Sequence, residues 1–237
     1  MLTVPDPREL SHFLFILRLQ FSTGGLALGI QIQAYADGHL GCVELLDGSR
    51  TPSIDSDFLT VTPFLGSESL HPFIDVCVKN SKGLFVLVKT SNTSSGEIQD
   101  VVASDGMTIS QSIAKYVSEQ ADTFTGEHGY SSIGAVVGAT YPEEAVSLRK
   151  LMPKSYFLVP GYGAQGGGAK DILPCFNEYG LGAIVNSSRG ILYTHMTNEE
   201  RAQCTRQEYL LSVKTATLQM QKDIYSVLKN EYRQMTY

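Results

Sequence analysis

Tyr156-Phe-Leu-Val-Pro160 leads into Gly161-Tyr-Gly-Ala-Gln165-Gly-Gly-Gly168, and Gly182-Ala-Ile-Val185 leads into Asn186-Ser-Ser-Arg189-Gly190. Each apolar run has the length of a buried strand, and each ends in a turn rich in glycine or polar residues. Such turns let backbone N–H groups approach a ligand, and a helix that starts there adds positive potential. Two turns of this kind, one of them with an arginine, predict a site for a phosphate ester.

The chain upstream of these turns repeats the alternation of strand and helix. Strands are predicted at Asp57–Thr62, Gly83–Val88 and Ile133–Val137. Helices are predicted to start at Ser67, Thr108 and Pro142, and a long helical segment is predicted from Asn198 to Glu231. Alternation of this kind indicates an α/β fold with a parallel sheet and right-handed crossovers. Phosphate turns after the last strands are typical of a (β/α)₈ TIM-type barrel.

The first 56 residues carry weaker signals than the rest of the chain. Ala34–Leu46 favours a helix, whereas residues 11–33 show no clean alternation of strand and helix. Five β/α units do not complete an eight-fold barrel, so the barrel is predicted to be incomplete at its N-terminal side. The predicted division is an atypical segment, 1–33, followed by an α/β barrel domain, 34–237.

Composition excludes several classes of function. The 237 residues are 43% hydrophobic and 18% charged, as in an ordinary soluble domain with a sizeable core. The net charge of −6 and the lack of a basic cluster argue against a nucleic-acid partner. The apolar stretch Phe13–Leu17 is too short to span a membrane.

Cysteine and histidine spacing does not indicate a metal site. Cys42, Cys77, Cys175 and Cys204 lack metal-type spacing and fall mostly in apolar segments. They are predicted to be reduced cysteines of a cytoplasmic protein. The five histidines show no mutual spacing for metal ligation either.

Ligands of a parallel α/β sheet bind at the carboxyl ends of its strands. The residues predicted there are Thr90-Ser91-Asn92, Thr140-Tyr141, Gly161–Gly168 and Asn186–Gly190. The position of Arg189 between Ser188 and Gly190 favours anion binding over a surface salt bridge. For Gln165, both a solvated loop position and closure over a phosphate remain open, and Ser91 is either a turn hydroxyl or a ligand contact.

Five motifs carry a resemblance to a known family. They are Asp57-Phe-Leu-Thr-Val-Thr-Pro-Phe-Leu-Gly66, Phe85-Val-Leu-Val-Lys-Thr-Ser-Asn92, Ser132-Ile-Gly-Ala-Val-Val-Gly-Ala-Thr140, Val159-Pro-Gly-Tyr-Gly-Ala-Gln-Gly-Gly167 and Val185-Asn-Ser-Ser-Arg-Gly-Ile191. In order and separation they resemble orotidine 5′-phosphate decarboxylase of the longer bacterial type. The resemblance runs from about Ala34 to the C-terminus.

The resemblance implies a (β/α)₈ barrel, usually a homodimer, that converts orotidine monophosphate to uridine monophosphate without cofactor or metal. It also implies roles for individual residues. The 5′-phosphate would be held by Arg189 and Gln165 with backbone N–H groups around Gly166, Gly167 and Gly190. The pyrimidine would be held by Ser91, with Thr90 beside it. Binding energy from a remote phosphate is a physically suitable source of orientation for a reaction with a high barrier.

One catalytic segment of the family has no counterpart in this chain. The family uses Asp-x-Lys-x-x-Asp, whose lysine protonates the ring carbanion, and ungapped counting places this segment near Ser22–Ala27. Those residues read Ser-Thr-Gly-Gly-Leu-Ala. We therefore expect impaired decarboxylation, because a positioned proton donor is worth about 10² to 10⁴ in rate.

Several alternatives follow from this departure. The chain is either a natural degenerate homologue or a decarboxylase whose N-terminal segment comes from a truncated or misread reading frame. Functionally, the alternative is a non-catalytic nucleotide-monophosphate-binding protein or regulatory subunit. A third class, another barrel enzyme acting on a sugar phosphate, requires an acid or base at the rim from Lys89, Asp47 or Asp57.

Overall fold

The computed structural model describes residues 28–52, 54–163, 165–193 and 204–231. The strands are β1 (Cys42–Glu44), β2 (Arg50–Pro52), β3 (Phe58–Val61), β4 (Gly83–Lys89), β5 (Ser131–Val137), β6 (Ser155–Val159) and β7 (Ala183–Val185). The helices are α1 (Leu28–Leu40), α2 (His71–Asn80), α3 (Gly96–Gln99), α4 (Ile109–Thr123), α5 (Pro142–Leu151), α6 (Ser188–Leu192) and α7 (Arg206–Glu231). Short 3₁₀ helices lie at Ser67–Ser69, Thr93–Ser95 and Leu173–Cys175.

The main sheet has five strands in the order β3-β4-β5-β6-β7, and every neighbouring pair is parallel. Spatial order therefore follows chain order, whereas a doubly wound sheet reverses its order at a switch point. Sequential parallel strands with helices between them are the arrangement of a TIM-type barrel. The predicted α/β class, the five strands and the helices between them are confirmed.

The core lies between this sheet and the helices on its outer face. Leu84, Val86 and Val88 of β4 belong to it and are fully buried. Helices α2, α4 and α5 supply the facing side chains, and α4 is fixed at its start by a capping box between Thr108 and Gln111. A capping box satisfies two N–H groups that would otherwise lack partners. Alternate strand residues therefore face the helices, and the loops at the strand ends are left to form a site.

The region before β3 differs from the prediction. The helix expected at Ala34–Leu46 instead spans Leu28–Leu40, across the predicted boundary at residue 33, and an antiparallel β1–β2 hairpin follows it. The hairpin turn is closed by Asp47, whose Oδ1 accepts hydrogen bonds from the backbone N and Oγ of Ser49. Gly48 there has a φ of 80°, which glycine adopts without strain. The prediction for Ser22–Ala27 falls outside the described residues.

Among the described residues, no helix has the length and apolar character needed to cross a membrane.

Candidate functional site

The loops after β4, β5, β6 and β7 meet at one edge of the sheet, because the four strands are parallel and adjacent. A backbone hydrogen bond of 2.8 Å from the N of Ala139 to the O of Pro160 joins the loops after β5 and β6. A second, of 3.1 Å, runs from the N of Asn186 to the O of Val159. The predicted site segments therefore share one edge of the sheet.

Ser91 lies between two glycines of neighbouring loops. A Cβ placed on Gly138 would be 2.8 Å from Ser91 Cα, and a Cβ placed on Gly161 would be 2.8 Å from Ser91 Cβ. Gln165 reaches the same point, since its Oε1 would lie 3.0 Å from that Cβ on Gly161. Ser91 and Gln165 are therefore both close neighbours of Gly161, which has a φ of 98°. Within the described ranges no hydrogen bond involves the Ser91 hydroxyl, so it remains available to a ligand.

The main chain around Ser91 is held by the loop after β5. Thr140 Oγ1 donates a hydrogen bond of 3.0 Å to the carbonyl oxygen of Ser91. The hydroxyl of Tyr141 donates one of 3.0 Å to the carbonyl oxygen of Asn92. These two bonds fix the backbone that carries the Ser91 side chain, and neither of them uses the Ser91 hydroxyl.

Thr90, predicted beside the pyrimidine, has its polar groups engaged within its own loop. Its N–H donates to Gln99 Oε1 at 3.0 Å, and its Oγ1 accepts from Gln99 Nε2 at 2.8 Å. The same hydroxyl donates to Asn92 Oδ1 at 2.7 Å. In this conformation Thr90 therefore has a loop-stabilising role, and its hydroxyl is not free to donate to a ligand.

The glycine-rich loop after β6 is closed on itself. Gly163 N donates to Gly167 O at 2.7 Å, Gly166 N to Gly163 O at 2.8 Å, and Gly167 N to Gly161 O at 3.2 Å. The amides of Gly166 and Gly167, predicted as phosphate donors, are thus engaged inside the loop in this conformation. Glycine is still required sterically at 167, because a Cβ there would lie 2.7 Å from that of Ala139.

The loops after β6 and β7 are joined by Ser187. Its Oγ donates a hydrogen bond of 2.8 Å to the carbonyl oxygen of Tyr162. The same oxygen would lie 3.5 Å from a Cβ on Gly163 and 2.5 Å from one on Gly190. The Gln165 loop and the Arg189 loop are consequently adjacent rather than on opposite sides of the molecule.

Arg189 lies in the short helix α6 and is exposed. Within the described ranges its guanidinium makes no hydrogen bond or ion pair, so its donors remain open to an anion. The amide of Gly190 lies in the first turn of α6, where N–H groups lack partners within the helix. Arg189, Gly190 and Gln165 are therefore the predicted phosphate residues whose donors are uncommitted in the described structure.

Two further side chains shape the surroundings of the glycine loop. Asp171 Oδ2 accepts a hydrogen bond of 2.7 Å from the backbone N of Gly168. Tyr162 is half-buried, and burial raises the pKa of its phenol, with the charge of Asp223 as the smaller cause. The phenol is therefore neutral at physiological pH and acts as a packing and hydrogen-bonding group.

The three residues considered as an alternative acid or base are all engaged with other protein groups. Lys89 is completely buried and pairs with Asp100. Asp57 is exposed and pairs with Lys82 at 3.4 Å. Asp47 closes the β1–β2 turn through Ser49, and these hydrogen bonds lower the pKa of its carboxyl. No group of three potential metal ligands occurs among the residues that the structure describes.

Sequence reasoning missed the contributions of Gly138 and Gln99, and it placed Ser187 in the predicted Asn186–Gly190 turn without giving it a role. Gly138 and Ser187 are explained by close approaches between loops, which depend on the tertiary fold. For Gly138 the sequence signal was its position directly after the buried strand β5, whereas Ser187 comes two residues after β7, which is only partly buried. Gln99 lacked even that signal, because it reaches Thr90 from the far end of the loop.

The sequence and the fold were compared with known proteins. Residues 52–204 match the model of the orotidine 5′-phosphate decarboxylase / HUMPS family. An orotidine 5′-phosphate decarboxylase of Rhodopirellula baltica is 46% identical over 197 residues, which cover 83% of this chain and 64% of the relative. One of Caldicellulosiruptor bescii is 39% identical over 180 residues, which cover 76% of this chain and 58% of the relative.

A solved structure shows the same fold relationship. The crystal structure of a Toxoplasma gondii protein assigned as an orotidine-monophosphate decarboxylase superposes with a TM-score of 0.65 at 28% identity, covering 88% of this chain and 66% of that one. The chain spans less than two thirds of the length of the two curated relatives named above. The family match covers more than half of the present chain, and it includes all the loops described above. The chain therefore belongs to the orotidine 5′-phosphate decarboxylase / HUMPS family.

Proposed function

We propose that this chain binds a pyrimidine nucleoside 5′-monophosphate, either orotidine or uridine monophosphate, at the carboxyl edge of its sheet. The observation that carries the proposal is the contact of Ser91 and Gln165 with the same residue, Gly161. By family resemblance, Ser91 is the candidate for the pyrimidine and Gln165 for the phosphate. Because the two side chains meet at one glycine, a single small ligand can reach both.

The phosphate is proposed to bind between the loops after β6 and β7. Gln165 supplies an amide, Arg189 a guanidinium and Gly190 a backbone N–H, while Gly166 and Gly167 allow the loop its tight shape. Hydrogen bonds from a guanidinium to phosphate are about twice as strong as neutral ones and are frequently bidentate. A doubly charged phosphate therefore provides most of the electrostatic attraction in the proposed complex.

By lineage the proposed reaction is decarboxylation of orotidine monophosphate in pyrimidine synthesis. The bond from the ring to the carboxylate breaks, carbon dioxide leaves, and the electron pair on the ring carbon takes up a proton. That proton needs a donor, and Ser22–Ala27 contains neither lysine nor aspartate. Lys89, two residues before Ser91, is paired with Asp100 instead. We therefore propose nucleotide binding with little turnover, as in a non-catalytic or regulatory nucleotide-binding protein.

The remaining features of the proposal have different sources. A homodimer, if the barrel is complete, and a reaction without cofactor or metal follow from the family resemblance. The cytoplasmic location rests on the cysteine pattern, and the absence of a nucleic-acid partner rests on the net charge of −6. Sedimentation of the purified chain tests the oligomeric state directly.

The test combines binding and turnover on the full chain. Calorimetry should show binding of uridine monophosphate, weaker binding of ribose 5-phosphate, and much weaker binding of uridine, which lacks the phosphate. Loss of orotidine monophosphate should be slower than for the Rhodopirellula baltica relative by about 10² or more. A folded sample that binds no nucleotide disproves the site. Turnover equal to that of the relative disproves the non-catalytic role and leaves the decarboxylase assignment standing.

A further inference from the structure

Lys89, the last residue of β4, is a charged residue with a completely buried side chain. Its Nζ lies 2.5 Å from Asp100 Oδ1 and 4.0 Å from Glu144 Oε1. It also lies over the ring of Tyr141, 4.3 Å from the ring centre. Lysine is almost never fully buried unless it is paired, since an isolated ammonium is strongly destabilised away from water. The partners of Lys89 therefore come from two segments, the end of α3 with Asp100 and the start of α5 with Tyr141 and Glu144, which its charge holds together.

An irregularity in the sheet directs this side chain toward the helices. The β4–β5 register shifts between Leu87 and Lys89: Leu87 pairs with Val136, and Lys89 pairs with the next residue of β5, Val137, which leaves Val88 as an extra residue in β4. Val88 packs in the core between sheet and helices, and Lys89 contacts Tyr141 and Glu144 on the same side. A bulge that re-aims a side chain in this way is common next to functional sites.

A second contact between the same two segments lies beside the Lys89–Asp100 ion pair. Gln99 bonds both the N–H and the hydroxyl of Thr90, at 3.0 Å and 2.8 Å. The consecutive residues Gln99 and Asp100 thus fasten to the consecutive residues Thr90 and Lys89. We name this four-residue arrangement the loop clasp. It closes the segment 91–98, which carries Ser91, against the end of β4.

The clasp is coupled to the position of Ser91 through Tyr141. The ring of Tyr141 contacts the Lys89 ammonium, and its hydroxyl bonds the carbonyl oxygen of Asn92. The adjacent Thr140 bonds the carbonyl oxygen of Ser91 itself. Ser91 has little freedom to shift, because Gly138 and Gly161 are packed against it. A change at Lys89 is therefore transmitted to the loop at two successive carbonyls.

We propose that Lys89 and Gln99 are positioning residues. They hold the Ser91 hydroxyl in the place where it recognises the pyrimidine, and they contact neither the base nor the phosphate of the nucleotide themselves. The inference rests on the proposed function and adds a residue pair to which neither the family resemblance nor the comparisons assign a role. Its consequence is selective: loosening the clasp weakens recognition of the base and leaves recognition of the phosphate intact.

The experiment compares two ligands with the full chain by calorimetry. Lys89→Met should weaken binding of uridine monophosphate about tenfold and change binding of ribose 5-phosphate less than about twofold. Gln99→Ala, which leaves the buried charge paired, should give the same selective loss and remains informative if Lys89→Met does not fold. Lys89→Arg, which keeps the charge, should recover part of the nucleotide affinity.

Lys82→Met is the matched control. Lys82 also pairs with two carboxylates, Asp55 and Asp57, but it lies just before the start of β4, whereas Lys89 is the last residue of that strand. The Lys82→Met variant should leave both affinities unchanged. The double variant of Lys89→Met with Ser91→Ala should lose no more nucleotide affinity than Ser91→Ala alone, as expected for residues that act through one contact. Equal loss of both ligands, unchanged nucleotide affinity in the clasp variants, or additive losses would overturn the inference. Failure of the wild-type chain to bind either ligand would instead defeat the proposed function, and the inference with it.

Discussion

The hydroxyl of Ser187 donates a hydrogen bond of 2.8 Å to the carbonyl oxygen of Tyr162, and this bond joins the loops that carry Arg189 and Gln165. A phosphate held by both side chains requires the two loops to keep a fixed separation. Small displacements of positioned groups are costly in binding and catalysis because the geometry of several donors is lost together. Ser187 is therefore central to the proposed phosphate site without being one of its predicted ligands.

Ser187→Ala tests this link between the loops. The variant should lose about 0.5–1.5 kcal/mol of unfolding free energy, as is typical for one hydrogen bond, and should also bind uridine monophosphate more weakly. Ser212→Ala is the matched control, since Ser212 donates an equally long, partly buried bond to the carbonyl oxygen of Tyr209 on helix α7. Urea denaturation and calorimetry measure the two effects. Equal nucleotide affinity in both variants would argue against a link through Ser187.

Gly161→Ala tests the close approach of Ser91 and Gln165. Gly161 and Gly106 have φ values of 98° and 82°, but a Cβ on Gly106 would meet no atom within 4 Å. Both Gly→Ala variants should lose about 1 kcal/mol of stability from backbone strain. Only Gly161→Ala should also weaken binding of uridine monophosphate, because its methyl group displaces the two side chains. If the two variants bind alike, the ligand does not depend on this contact.

Arg189→Ala tests the proposed phosphate contact. Loss of a charged hydrogen bond should reduce the binding free energy of uridine monophosphate by about 1.5–3 kcal/mol and should have little effect on uridine. Arg50→Ala is the control. It removes the same charge from β2, a strand outside the five-stranded sheet whose loops form the proposed site, and it should leave the affinity unchanged. Calorimetry with both ligands measures the difference. An unchanged dissociation constant for Arg189→Ala would remove this residue from the site.

Arg149→Lys tests a structural role that is independent of the ligand. The guanidinium donates to the carbonyl oxygens of Met152, Ser155, Cys175 and Gly182 and lies 3.5 Å from the ring centre of Phe157. A lysine cannot reproduce the planar, forked set of donors of a guanidinium. The free energy of unfolding of the variant should therefore be about 3 kcal/mol lower than that of the wild type. Lys150→Ala, at the exposed neighbouring position, should change stability little. Chemical denaturation distinguishes the two, and near-equal midpoints would contradict the role assigned to the fork.

The buried thiols predict a pH dependence of stability. Burial raises the pKa of both Cys77 and Cys175 from an ordinary value of 9.0 to about 12. The folded state therefore disfavours the thiolate, and this contribution is fully present below pH 9 and is lost as the pH rises from 9 toward 12. Unfolding free energy should fall across that window, less steeply for Cys77→Ala than for the wild type. Parallel pH profiles for the two proteins would contradict the prediction.

The regular elements were predictable because their signals are local. The apolar run Gly83–Val88 appears as β4, and the predicted cap at Thr108 is part of a capping box with Gln111. A strand that is buried on both faces appears in the sequence as one continuous apolar run. Helix capping likewise depends on residues within a single turn. The helix predicted at Ala34–Leu46 ends at Leu40 instead, because the following residues form the β1–β2 hairpin around the Asp47–Ser49 turn. Hydrophobic periodicity does not report such a turn.

The sequence by itself determined the order of the β/α units, the family and the residues presented at the strand ends. The tertiary structure alone decided which of those residues keep free donors: Thr90 is engaged by Gln99, whereas the Ser91 hydroxyl remains open among the described residues. It also decided that Lys89 faces the helices rather than the ligand edge. The reason is physical, since propensity and periodicity act between neighbours in the chain, while hydrogen-bond competition and burial of charge depend on segments that only folding brings together.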